Sequence, residues 1–128
     1  MKKRPYIMVV DDDREMLKML NRTLELEGYD VATTTDGSSA LALLDKRSPD
    51  LVILDIMMPD LDGFQVLKLI RQRSSIPVIM LTAHCEAASW QRALLLGADD
   101  WVKKPFRPRE LAARIRAKVR LDGHKRGS

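Results

Sequence analysis

Leu51-Val52-Ile53-Leu54-Asp55-Ile56-Met57-Met58-Pro59-Asp60 is the stretch whose reading decides the fold. Its first four residues form an apolar run too short for a helix and rich in branched side chains, which predicts a strand buried on both faces. Asp55 follows at the carboxyl end of that strand, at the lip of a core. Pro59-Asp60-Leu61-Asp62-Gly63 is loop chemistry and leaves that carboxylate reachable. In open α/β sheets ligands bind just outside the carboxyl ends of the strands. An anionic side chain placed there calls for a cation or a reaction.

Working outward, Tyr6 to Val10 is a second short apolar run, and it too ends in acid, Asp11-Asp12-Asp13. Asp13 can cap the following helix, whose apolar stripe is Met16, Leu17, Leu20, Leu24 and Leu26, closed by Glu27-Gly28. Tyr29 to Thr35 reads as a weakly hydrophobic strand. Asp36-Gly37-Ser38 is turn and cap for a helix through Ala40, Leu41, Leu43 and Leu44, which Ser48-Pro49-Asp50 ends. Beyond Asp55, Asp62 and Gln65 have capping-box spacing ahead of a helix carrying Phe64, Val66, Leu67 and Ile70.

After Ser74 to Pro77, Val78-Ile79-Met80-Leu81 forms a fourth strand ending in Thr82. Glu86 to Leu96 is a helix stopped by Gly97, and Asp99 to Lys103 a short fifth strand. Pro108 and Glu110 open a last helix with Leu111, Ala112, Ile115 and Val119 as its buried stripe. Five strands alternating with five helices predict an α/β domain with a parallel sheet and right-handed crossovers.

The 128 residues, 45% hydrophobic, suit one domain with one core, and no segment approaches the roughly 20 apolar residues of a membrane span. The basic Met1-Lys2-Lys3-Arg4-Pro5 start runs after one short apolar stretch into three aspartates, which argues against a signal peptide and for a cytoplasmic protein. A single cysteine, Cys85, excludes an internal disulfide and a multi-cysteine metal site and reads as a bystander thiol. The formal charge of +4 divides unevenly, with residues 107–128 at a net +6 and the remainder at −2. That basic end reads as a solvated helix face rather than a nucleic-acid contact, since no aromatic residues are interleaved with the charges. From Asp122 the sequence Asp-Gly-His-Lys-Arg-Gly-Ser is linker-like, giving a domain over 1–121 and a tail over 122–128.

If the strands are parallel, their carboxyl ends bring Asp11, Asp12, Asp55, Thr82 and either Lys103 or Lys104 to one edge of the sheet. Clustered carboxylates repel one another and call for a hard divalent cation; a few carboxylates completed by waters describe Mg²⁺ better than Zn²⁺. Asp55 is then able to attack phosphorus as a carboxylate nucleophile. The lysine and the Thr82 hydroxyl would bind phosphoryl oxygens.

These residues carry a family resemblance. Val9-Val10-Asp11-Asp12-Asp13, Leu54-Asp55-Ile56-Met57-Met58-Pro59, Asp62-Gly63, Met80-Leu81-Thr82-Ala83, Gly97-Ala98-Asp99-Asp100 and Lys103-Lys104-Pro105-Phe106 stand in the order and spacing of the receiver domain of two-component response regulators, over residues 5 to 121. The resemblance implies a CheY-like, flavodoxin-like (βα)5 fold, its five-stranded parallel sheet ordered 2-1-3-4-5 with helices on both faces. It implies Asp55 as phosphoacceptor for a sensor histidine kinase, and Mg²⁺ held by Asp11, Asp12, Asp55 and the backbone carbonyl of Met57. Thr82 would be the switch hydroxyl, Lys104 the phosphate-binding lysine and Trp101 the switch aromatic, where the family usually has tyrosine or phenylalanine. His84, two residues after Thr82, is placed to tune hydrolysis of the acyl phosphate.

Glu110-Leu111-Ala112-Ala113-Arg114-Ile115-Arg116 and Asp99-Asp100 further resemble the winged-helix OmpR/PhoB branch. That branch implies transcriptional output through a DNA-binding domain, and a homodimer formed on phosphorylation through charge pairs on the fourth helix, fifth strand and fifth helix. Asp100, Glu110, Arg114 and Arg116 are the matching charges. The fourth helix departs from the branch, with Trp90 and Leu95 where charges are usual, so a contact held by burial is expected there unless the stripe packs inward. Two other readings are a stand-alone receiver that acts by protein contact and a Mg²⁺-dependent aspartyl phosphatase. The second is disfavoured by Met57, since such hydrolases carry a second aspartate at that spacing.

Overall fold

The computed structural model describes residues 4–83 and 86–127. His84 and Cys85, together with Met1, Lys2, Lys3 and Ser128, lie outside the described residues, and so do the readings attached to them. Among the described residues the order is β1 (Tyr6–Val10), α1 (Arg14–Leu26), β2 (Asp30–Thr34), α2 (Gly37–Lys46), β3 (Leu51–Leu54), α3 (Gly63–Arg73), β4 (Val78–Thr82), α4 (Ala87–Leu95), β5 (Asp100–Lys103) and α5 (Pro108–Gly127). The strands form one sheet in the order β2-β1-β3-β4-β5, every neighbouring pair parallel, as expected.

Two-residue periodicity divides the strand side chains between two cores. Met8, Val10, Val52, Leu54, Val78 and Met80 face one side, where Ala40 of α2, Phe64, Val66, Leu67 and Ile70 of α3 and Ala93 of α4 pack on them. Ile7, Val9, Leu51, Ile53, Ile79, Leu81 and Val102 face the other, covered by Leu17, Leu20 and Leu24 of α1 and Leu111 and Ile115 of α5. Burial on both faces is why β1, β3 and β4 are almost unbroken apolar runs. β2, at the edge, is only partly buried and correspondingly weak in sequence.

Helix ends follow local chemistry. The Asp13 carboxylate accepts from the N–H groups of Glu15 and Met16 and starts α1. Asp36 does the same for α2 through Ser39 N–H, and Asp62 with Gln65 closes a capping box on α3. Gly28 and Gly97 take the left-handed φ of 97° and 101° that ends α1 and α4.

One reading changes. Leu26 does not join the α1 stripe: it is 82% exposed, because two residues beyond Leu24 a helix has turned about 200° away from the sheet. The helical backbone of α5 extends to Gly127. No helix among the described residues is long and apolar enough to cross a membrane.

Gly63 ties the fold to its carboxyl edge. Its N–H donates to the Ile56 carbonyl at 2.8 Å, so α3 begins directly against the chain that follows β3. A Cβ at Gly63 would overlap the Asp55 carbonyl oxygen and lie 2.7 Å from the Ile56 Cα, and backbone cannot swing aside as a side-chain tip can. Gly63→Ala is therefore expected to destabilise the domain by about 2–3 kcal/mol, the upper part of the overpacking range, measured as a lower midpoint in urea denaturation at unchanged slope.

Candidate functional site

The strand order reverses between β1 and β3, and a crevice opens where their carboxyl ends diverge toward helices on opposite faces. Asp11 follows β1 and Asp55 follows β3. Their backbones are extensions of the sheet: Asp11 N–H donates to the Thr34 carbonyl at 3.1 Å and Asp55 N–H to the Val10 carbonyl at 3.0 Å. Asp11 and Asp55 are buried, 1% and 4% exposed, and Asp12 is exposed. Asp55 is thus more enclosed than its loop suggested. Asp11, Asp12 and Asp55 each offer a carboxylate oxygen, all within 4.8 Å of one another.

Of the two candidate lysines the fold selects Lys104. Its ammonium lies 2.7 Å from Asp11 Oδ2 and 3.3 Å from Asp55 Oδ2, whereas Lys103 is exposed on β5. Lys104 N–H donates to the Thr82 carbonyl at 2.9 Å, which fastens the lysine backbone to the end of β4. Thr82 itself is fully buried at the same edge of the sheet. The Lys104–Pro105 peptide bond is cis.

Burial is the largest influence on Asp11 and pushes its pKa up; the Lys104 contact and the Asp13 N–H bonded to Oδ1 at 2.9 Å pull it down without cancelling the rise, to which the Asp55 charge adds. An acid whose folded pKa is raised holds more protons folded than unfolded, so Asp11 costs stability above the ordinary carboxylate range and ceases to do so as pH falls. Burial alone would lower Lys104. Its bond to Asp11 and the charges of Asp55 and Asp11 outweigh that, raise its pKa and keep it an ammonium. Among the described residues Asp55 Oδ1 is buried with no hydrogen-bond partner, and Asp11 Oδ2 meets the Lys104 ammonium at 2.7 Å. Three oxygen donors with excess negative charge and an unsatisfied buried oxygen suit a hard divalent cation, and these residues fit Mg²⁺.

Met57 lies in the loop between Asp55 and α3, with its side chain 57% exposed. Trp101 is half-buried on β5 and meets Trp90 of α4 edge-on, ring centroids 5.7 Å apart at 63°. The α4 stripe does not pack inward: Trp90 is 40% exposed and Leu95 89%. Leu94, from the same apolar run, joins them on the surface. Arg114 donates to both Asp100 oxygens at 2.9 Å and approaches Glu110 at 3.4 Å, so these charges pair within the chain; Arg116 is exposed.

Sequence reasoning also passed over Asp60 as a loop residue. Its carboxylate accepts from Gly37 N–H at 3.0 Å, Ser38 N–H at 3.1 Å and the Ser38 hydroxyl, contacts that hold its pKa below the carboxylate range. Its partners are more than twenty positions away, and no local pattern announces them.

The chain matches the response regulator receiver domain model over residues 7–116. It is 51% identical over 114 residues to a protein of Guillardia theta named "Probable transcriptional regulator ycf27", covering 89% of this chain and 45% of that one. It is 45% identical over 117 residues to the DNA-binding response regulator MtrA of Mycolicibacterium smegmatis, covering 91% and 51%. The chain thus spans about half the length of the curated relatives it matches. Among solved structures, a CheY-like receiver domain protein from Methanospirillum hungatei superposes with a TM-score of 0.92 at 29% identity, covering 96% of this chain and 99% of that one. With acids and lysine gathered at the carboxyl edge of a 2-1-3-4-5 sheet, the chain belongs to the response regulator receiver domain family.

Proposed function

We propose that this domain accepts a phosphoryl group on Asp55 from the phosphohistidine of a sensor histidine kinase, and so controls transcription through a DNA-binding domain outside this chain. The observation that carries the reading is the enclosure of Asp55 by two further carboxylates and one ammonium. Asp55 Oδ attacks phosphorus in line, the new P–O bond forms as the P–N bond breaks, and the electron pair returns to the kinase imidazole. Bound by Asp11, Asp12, Asp55 and the Met57 carbonyl, Mg²⁺ supplies charge neutralisation to the transferring group. Lys104, already 3.3 Å from Asp55, pairs with a phosphoryl oxygen, and the Thr82 hydroxyl donates to another.

Recruitment of Thr82 makes room beside β4 for Trp101 to turn inward, away from Trp90. The exposed Trp90, Leu94 and Leu95 change their surroundings with it, and this face of α4, β5 and α5 forms the dimer contact, held more by burial than by ion pairs. The DNA-binding activity named for MtrA supports transcription as the output, and the reading implies a cytoplasmic protein.

Asp55→Ala is expected to abolish Mg²⁺-dependent, acid-labile labelling by a small acyl phosphate; stoichiometric label on that variant would sink the assignment. Because crowded carboxylates oppose folding when no cation is bound, Asp11→Asn should raise metal-free stability by about 1 kcal/mol, roughly 3–4 °C in thermal midpoint for a domain this size. Differential scanning calorimetry in chelator checks this, and a lowered midpoint would contradict it. The chain's two tryptophans are the Trp90–Trp101 pair, so beryllofluoride with Mg²⁺ should shift its tryptophan emission while leaving Asp55→Ala unchanged. Sedimentation of the same samples should show dimer only with the phosphoryl mimic, and dissociation in 1 M salt would refute a contact held by burial.

A further inference from the structure

The loop from Asp55 to Gly63 is fastened at its neck and at its tip. At the neck, Gly63 N–H bonds the Ile56 carbonyl at 2.8 Å, and the Asp62–Gln65 capping box fixes the turn into α3. Between these anchors Met57, Met58 and Pro59 make no hydrogen bond to another element among those found for the described residues. At the tip, Met58 and Leu61 pack against the core, and among the described residues the hydrogen bonds from the tip to another element are those of Asp60, whose carboxylate sits on the first turn of α2 and takes both Gly37 and Ser38 N–H groups and the Ser38 hydroxyl. Gly37 admits this contact: a Cβ there would lie 2.8 Å from Leu61 Cβ and 2.8 Å from Val66 Cγ2. A carboxylate at a helix N-terminus meets unpaired N–H donors and the positive end of the helix dipole, so the arrangement is self-consistent without any ligand.

We propose that Asp60 is a positioning residue for the divalent-cation site: by clamping the loop tip to α2 it presets the backbone that offers the Met57 carbonyl. The inference rests on the reading of Asp11, Asp12, Asp55 and Met57 as cation ligands. The clamp makes α2, which contributes no ligand, part of the site's support, and removes ordering entropy that binding would otherwise have to supply. Groups that hold a metal ligand in place typically change affinity by about 10- to 100-fold when removed, and a carbonyl tethered also at its neck belongs at the low end.

The test is calorimetric titration of the whole 128-residue chain with Mg²⁺ alone, independent of phosphorylation. Asp60→Ala should weaken Mg²⁺ binding about tenfold. Asp60→Asn, which keeps one acceptor oxygen but turns an amide N–H toward the other donor, should weaken binding less than Asp60→Ala, and Ser38→Ala, which keeps both backbone donors, should lose only about twofold. An Asp60→Ala chain with a lowered melting temperature and wild-type affinity, which is what a merely structural role gives, would overturn the clamp. A wild-type chain that binds no Mg²⁺ overturns this inference together with the reading beneath it; wild-type binding matched by Asp60→Ala overturns this inference alone.

Discussion

Everything at the carboxyl edge of the sheet depends on one ammonium among carboxylates. Lys104 spans the buried Asp11 and Asp55, 2.7 Å from one and 3.3 Å from the other, while Asp12 beside them faces solvent. One positive charge does not balance three negative ones, and desolvation magnifies the difference. The site carries a residual negative charge of the kind a divalent cation satisfies. That imbalance is a stability cost, and the apolar cores above and below the sheet have to bear it.

The sheet makes such a site possible because each carboxyl end is a ladder position before it becomes a loop. Asp11 and Asp55 are held through their own N–H groups to Thr34 and Val10, so the carboxylates diverge from a rigid edge. Lys104 is held in the same manner to Thr82. Only the stretch from Ile56 to Asp62 leaves the sheet, and it is pinned by Gly63 at one end and by Asp60 on α2 at the other. The site therefore draws on the carboxyl ends of β1, β3, β4 and β5 for its side chains, and on α2 and α3 for the shape of its loop.

Among the described residues α4 is the least buried of the helices, with Ala93 as its one buried residue. Trp90, Leu94 and Leu95 stand outward, and the charges beside them on β5 and α5 are already paired with each other. Breaking the Arg114–Asp100 pair to make interchain bonds would return little, since exposed ion pairs are worth at most about 1 kcal/mol. Apolar area is the larger resource of this face.

Much of this was legible in the residue order. The four-residue apolar runs, their acidic ends, the capping residues and the stop glycines specify five βα units by local chemistry, because strand burial and helix ends are governed by neighbours in sequence. The same order named Asp11, Asp12, Asp55, Thr82 and a lysine as companions, since parallel strands must align their carboxyl ends. Spacing alone could not choose between Lys103 and Lys104, because one residue of register decides which ammonium turns inward, and it was the family resemblance that pointed to Lys104. Nor could it show the Trp90–Trp101 contact or join Asp60 to Gly37 and Ser38. Those are meetings of side chains from different βα units, and only packing in three dimensions fixes the distances at which they meet.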